Sequence, residues 1–133
     1  MIDNDVERYF ANTFIVKNRR ERLLYELNTP GKRYDGLSRF CHNAKDLLDP
    51  SRIIMEGDNI ERDHAFYEFS RDHDELCYVI SPDLYEDGEY LLLDDALDIA
   101  TIGLDAMIII GSTFAVVFDE PMKGGRDKFL LSE

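Results

Sequence analysis

The sequence has no tryptophan, only two cysteines, only four prolines and no apolar run long enough to cross a bilayer. Each absence excludes something. Cys41 and Cys77 do not make a disulfide framework and neither belongs to a Cys-x-x-Cys pair, so both are expected as small buried hydrophobes. A membrane-spanning helix needs about 20 apolar residues, and the most apolar stretch, residues 104–118, is broken by Gly111-Ser112. The opening residues Met-Ile-Asp-Asn-Asp-Val-Glu hold neither the basic segment nor the apolar segment of a secretory signal. The expected compartment is therefore the cytoplasm, without a membrane partner. Gly-x-x-x-x-Gly-Lys-[Ser/Thr], Gly-x-Gly-x-x-Gly, Gly-x-Ser-x-Gly and His-Glu-x-x-His are all missing, so no cofactor and no catalytic residue is assigned.

Positive charge is scarce, and unevenly so. The formal charge is −13, with nine Lys and Arg against eight Asp and Glu in residues 1–50, three against sixteen in 51–105, and three against four in 106–133. The middle third thus holds the whole excess. A field of that sign repels phosphate backbones and anionic lipid heads and speeds encounter with a basic protein. It also serves plain solubility. Lys17, Arg19, Arg20, Arg22, Lys32, Arg33 and Arg39 cluster in the first third, but Glu21, Glu26 and Asp35 lie among them. That interleaving argues against nucleic-acid binding and fits a charge match between the two parts of the chain, or a solvated helix face.

What is present is an α+β pattern. Ala106 to Ile110 and Thr113 to Phe118 are β-branched and aromatic runs joined by Gly111-Ser112, the signature of a hairpin with a type II′ turn. Neither run alternates with polar residues, so these are expected as central strands covered on both faces. Val6, Tyr9, Phe10, Thr13 and Phe14 recur at helical spacing behind Asp3 or Asp5 as N-cap. A second helix is expected over 17–27, and a third from Thr29-Pro30, with Pro30 at its first position, to Asp49-Pro50. Ile53 to Met55, Leu76 to Ile80 and Lys128 to Leu131 are strand-like; His64 to Ser70 fits a helix continued from Asn59, but the turn-like Arg71-Asp72-His73-Asp74 favours a second hairpin over 64–81. Asp94 caps a helix over 94–103, with Gly103 in the left-handed position past its end. The expected fold is one α+β domain over 1–133. Its 1–50 helical layer packs on a mainly antiparallel β-sheet formed by 51–133, which carries one inserted helix near 94–103 and a central C-terminal hairpin.

The candidate site is an acidic-aromatic run. Asp83, Glu86, Asp87, Glu89, Asp94, Asp95 and Asp98 surround Tyr85 and Tyr90. Tyrosine offers apolar area together with a hydroxyl, and surrounding carboxylates steer a cationic partner and fix its register. The expected function is a non-enzymatic acidic protein-binding module for a basic partner. By class analogy such a module is an inhibitor or an immunity protein against a basic enzyme such as a nuclease. The alternative is a small enzyme using carboxylates with His64 or His73, with or without a divalent metal. His73-Asp74 matches the metal-dependent HD phosphohydrolases only in that dipeptide. Residues 83–94 fail as a calcium loop, because Tyr85 stands at the third position and Asp94 at the twelfth. No metal ligand is assigned.

Overall fold

A computed structural model describes residues 1–57, 60–103, 105–121 and 126–133, without the side chains of 60–63. Among these residues there are six α-helices and six strands: α1 Asn4–Phe14, α2 Arg20–Asn28, α3 Arg33–His42, α4 Ala44–Leu47, β1 Ile53–Gly57, α5 Ile60–Asp72, β2 Leu76–Ile80, β3 Tyr90–Leu92, α6 Leu93–Ile102, β4 Met107–Ile110, β5 Phe114–Phe118 and β6 Lys128–Ser132. The strands form one sheet in the order β1-β6-β5-β4-β2-β3, antiparallel throughout. The expected α+β domain is what forms. The expected connection at 121–126 lies mostly outside the described residues.

Alternation along the strands sends side chains to two separate cores. Tyr78, Ile80, Ile108, Ile110, Ala115, Val117, Phe129 and Leu131 meet Phe10, Phe14, Leu23, Leu27, Leu37 and Phe40 of α1, α2 and α3. Their neighbours Cys77, Val79, Met107, Ile109, Phe114, Val116, Phe118 and Leu130 meet Phe66 of α5 and Leu93, Ala96, Leu97 and Ala100 of α6. Because both faces are covered, β4 and β5 are buried along their whole length and read as unbroken apolar runs. The Met107 to Phe118 pairing is the expected central hairpin.

Local chemistry departs from expectation at several places. Residues 60–72 form a helix, not the first strand of a second hairpin, so two helices rather than one are inserted into the sheet-forming part. Pro30 does not begin α3. It occupies the second position of a turn in which Lys32 N donates to Thr29 O at 3.0 Å and Gly31 takes φ +85°, the type II pattern. The third helix is also divided, α3 ending at His42 and α4 running only from Ala44 to Leu47. The hairpin turn centres on Ser112-Thr113, closed by Gly111 N to Phe114 O at 2.8 Å. Gly111 has no positive φ, which excludes type II′. Helix α6 starts at Leu93 with Leu92 as its cap; the Asp94 carboxylate instead accepts from Ser70 Oγ of α5. Gly103 has φ −72°, and the end of α6 is closed by Arg126, which donates to the carbonyls of Ala100, Gly103 and Asp105. Asp3 does cap α1, accepting from Asp5 N at 3.1 Å and Val6 N at 3.3 Å.

Candidate partner-docking surface

The β2–β3 hairpin carries most of the acidic-aromatic run. Its connection is anchored from inside the molecule. Arg33 of α3 donates from Nε to Asp87 Oδ2 at 2.7 Å and from Nη2 to Asp87 Oδ1 at 2.9 Å. Toward α1 it donates from Nη1 to Glu7 Oε1 at 3.0 Å and from Nη2 to Glu7 Oε2 at 2.7 Å, and Nη1 also reaches Leu27 O at 3.0 Å. All five guanidinium N–H groups are thereby used. Glu7 is fully buried and also accepts from Tyr78 Oη at 2.6 Å. Each charge in this cluster has an opposite charge and a fork-shaped bond, the condition under which buried ions are tolerated.

The start of β3 is set by a bulge. Gly88 N donates to Val79 O at 2.8 Å while Val79 N donates to Glu89 O at 3.0 Å, so two residues oppose one, and Gly88 has φ +78°. This is the G1 bulge, whose first position needs a left-handed residue. The register continues as Tyr78 opposite Tyr90 and Leu76 opposite Leu92. No described strand lies on the other side of β3, so the main-chain N–H groups of Tyr90 and Leu92 face the sheet's open edge.

The run identified from sequence is divided by this architecture. Asp87 faces inward, its side chain 7% exposed and held by Arg33, so it is removed from the docking set. Asp83 is exposed and its Oδ1 accepts from Tyr85 N at 2.8 Å. Glu86 is half-buried beside Ser81, whose Oγ donates to it at 3.1 Å; burial raises its pKa above the usual carboxylate value. Glu89 is exposed, and Tyr90 stacks edge-on against Tyr78 while donating to Asp3 Oδ2 at 3.1 Å. Asp94, Asp95 and Asp98 belong to α6, whose buried face packs on the other side of the sheet. Asp98 accepts from Tyr67 Oη of α5 at 2.8 Å, and Asp95 is exposed. The run therefore supplies one group on the hairpin and a second on α6.

Apolar residues that sequence reasoning passed over, Leu76, Leu84 and Leu92, complete the hairpin surface. Leu84 is 78% exposed at its tip beside Tyr85 at 93%, and Leu76 is 61% exposed at its base beside half-exposed Leu92. A groove of about 360 Å³ runs between α1 and the hairpin, lined by Val6, Tyr9, Leu76, Tyr78, Tyr90 and Ile110, with Asp5 and Glu75 among its walls. The available signal was Leu84, an apolar residue between Asp83 and Tyr85 in a polar loop. Leu76 and Leu92 gave none, since strand ends look alike whether covered or open.

The basic residues of the first third are largely engaged locally. Arg22 and Arg39 pair with Glu26, and Arg20 donates to Ile15 O. Among the described residues, Arg33 is the only Lys or Arg of 1–50 in an ion pair with a carboxylate of 51–105. The histidines are dispersed: His64 pairs with Glu68 on α5, His73 stacks on Phe69 with centroids 3.8 Å apart, and His42 lies 3.5 Å from Asp119. No group of three or more His, Cys, Asp or Glu among the described residues is arranged to hold a metal ion, and no described helix is long and apolar enough to cross a membrane. No family model matches the sequence, and no curated protein or solved structure matches it either.

Proposed function

We propose that the protein is a non-enzymatic binding module that engages a basic protein through its β2–β3 hairpin, as an inhibitor or immunity protein does. The observation that carries this reading is the pairing of exposed Leu76, Leu84, Tyr85 and Leu92 with Asp83, Glu86 and Glu89, carboxylates that no arginine of the helical layer neutralises among the described residues. Exposed apolar side chains at the tip and base of the hairpin supply affinity, and the carboxylates of its connection supply steering. The open edge of β3 adds main-chain donors that an extended partner segment can use.

The test is affinity capture from the source cell by wild type and by a Leu84→Ser/Tyr85→Ser variant, followed by association kinetics with the retained protein. A basic protein held by wild type and released by the variant is the expected result. Glu86→Lys/Glu89→Lys should then slow association and flatten its dependence on salt. Equal retention by wild type and variant would remove this hairpin from consideration.

A further inference from the structure

The helical layer contains a cleft of opposite character, unrelated to the docking hairpin. It lies among α2, α3 and α4, has a volume of about 260 Å³, and includes Leu23, Phe40 and Leu47 in its lining. Its charged residues are Arg19, Arg22 and Arg39 against Glu26 and Asp46, a net charge of +1 in a chain of −13.

Two of the three arginines are held in position. Glu26, its side chain 11% exposed, accepts from Arg22 Nε at 3.0 Å and from Arg39 Nη1 at 2.5 Å. One carboxylate thus fixes two guanidinium groups on one side of the cleft while occupying a single N–H of each. Gly36 leaves the space for it, since a Cβ there would lie 2.6 Å from Glu26 Cβ. The remaining guanidinium donors of Arg22 and Arg39 have no partner among the described residues, and neither does the exposed Arg19 side chain. Preorganised donors beside an apolar wall suit a ligand with one anionic end and one apolar end. The carboxylate geometry matches the guanidinium fork. A polyanion is disfavoured, because each added negative charge meets the field of the rest of the protein.

We infer that this cleft binds a small organic carboxylate with a compact apolar body. Amide NMR titration of the intact chain with phenylacetate tests it, with inorganic phosphate and benzyl alcohol as comparison probes. Saturable shifts at Leu23, Gly36 and Phe40 are expected, with affinity falling about tenfold in Arg19→Gln, the loss of one charge-assisted contact. The Arg19 side chain is exposed and bonds to no described residue, so the variant's spectrum should otherwise be unchanged. Absence of shifts at these amides would overturn the assignment. Equal binding of phosphate would show that the apolar wall contributes nothing, and equal binding of benzyl alcohol that the arginines contribute nothing; either overturns it. An unchanged affinity in Arg19→Gln does so as well.

Discussion

Arg33 and Asp87, 54 residues apart in sequence, meet through two parallel hydrogen bonds of 2.7 and 2.9 Å, and the same guanidinium holds Glu7 from its other side. Removing Arg33 leaves two carboxylates in a site with little access to water. Arg33→Ala is expected to destabilise the protein by about 3–5 kcal/mol, the usual result of stripping one partner from a buried ion pair. Arg33→Lys should fall between, since an ammonium cannot serve two carboxylates with forked bonds. Urea denaturation midpoints give both numbers, and an alanine effect below about 1 kcal/mol would mean the cluster is solvated.

Gly88 offers a separate check on the hairpin. A side chain at φ +78° is strained, and a Cβ would also come within 2.8 Å of Met1 main-chain atoms. Gly88→Ala should destabilise by about 1–3 kcal/mol. Hydrogen exchange at the amides of Val79 and residue 88 should rise first, because the bonds they donate define the bulge.

Alkaline pH should weaken the fold. Burial pushes the Cys77 thiol up from 9.0 to about 12, and it raises the Cys41 thiol and the Tyr78 hydroxyl too, Tyr78 with a further contribution from its bond to Glu7. These groups keep their protons when folded at a pH where the unfolded chain has released them. The native state then binds more protons, and stability falls as pH rises above about 9. Urea midpoints should be lower at about pH 10.5 than at neutrality. In the native state a thiol reagent should modify neither cysteine, while in denaturant both should react.

Arg126 closes α6 from a distance in sequence. It donates to Ala100 O, Gly103 O and Asp105 O, and from Nε to Asp119 O at 2.6 Å, with its guanidinium 5.0 Å from the Phe118 ring centroid. Arg126→Ala should cost about 2 kcal/mol or more, through the carbonyls it leaves unpaired. Amide exchange in the last turn of α6 should accelerate, while that in α1 should not.

Sequence patterns carried the elements whose signals are local. Asp3 before Val6, Tyr9 and Phe10 marked α1, and the unbroken Met107 to Ile110 and Phe114 to Phe118 runs marked strands covered on both sides. Helix α5 was missed because Phe66, Tyr67 and Phe69 give no clean stripe, and because Arg71-Asp72-His73-Asp74 resembles a turn although the helix continues to Asp72. The fate of Asp87 was illegible for another reason. Among nearly identical acids, only a contact with a residue far away in the chain distinguishes the one turned inward, and charge counting treats all of them as surface. The split of the acidic run across the sheet likewise depends on where α6 packs, which no spacing within 83–98 encodes.

The pairing of β6 between β1 and β5 has a consequence for synthesis on the ribosome. Until residues 128–132 emerge from the exit tunnel, Phe114 to Phe118 border an unfilled slot: five consecutive side chains that are all buried in the finished protein, with one line of peptide groups unpaired. Such a segment is a template for association between nascent chains. Premature termination before Lys128 should therefore yield inclusion bodies rather than a shorter working protein.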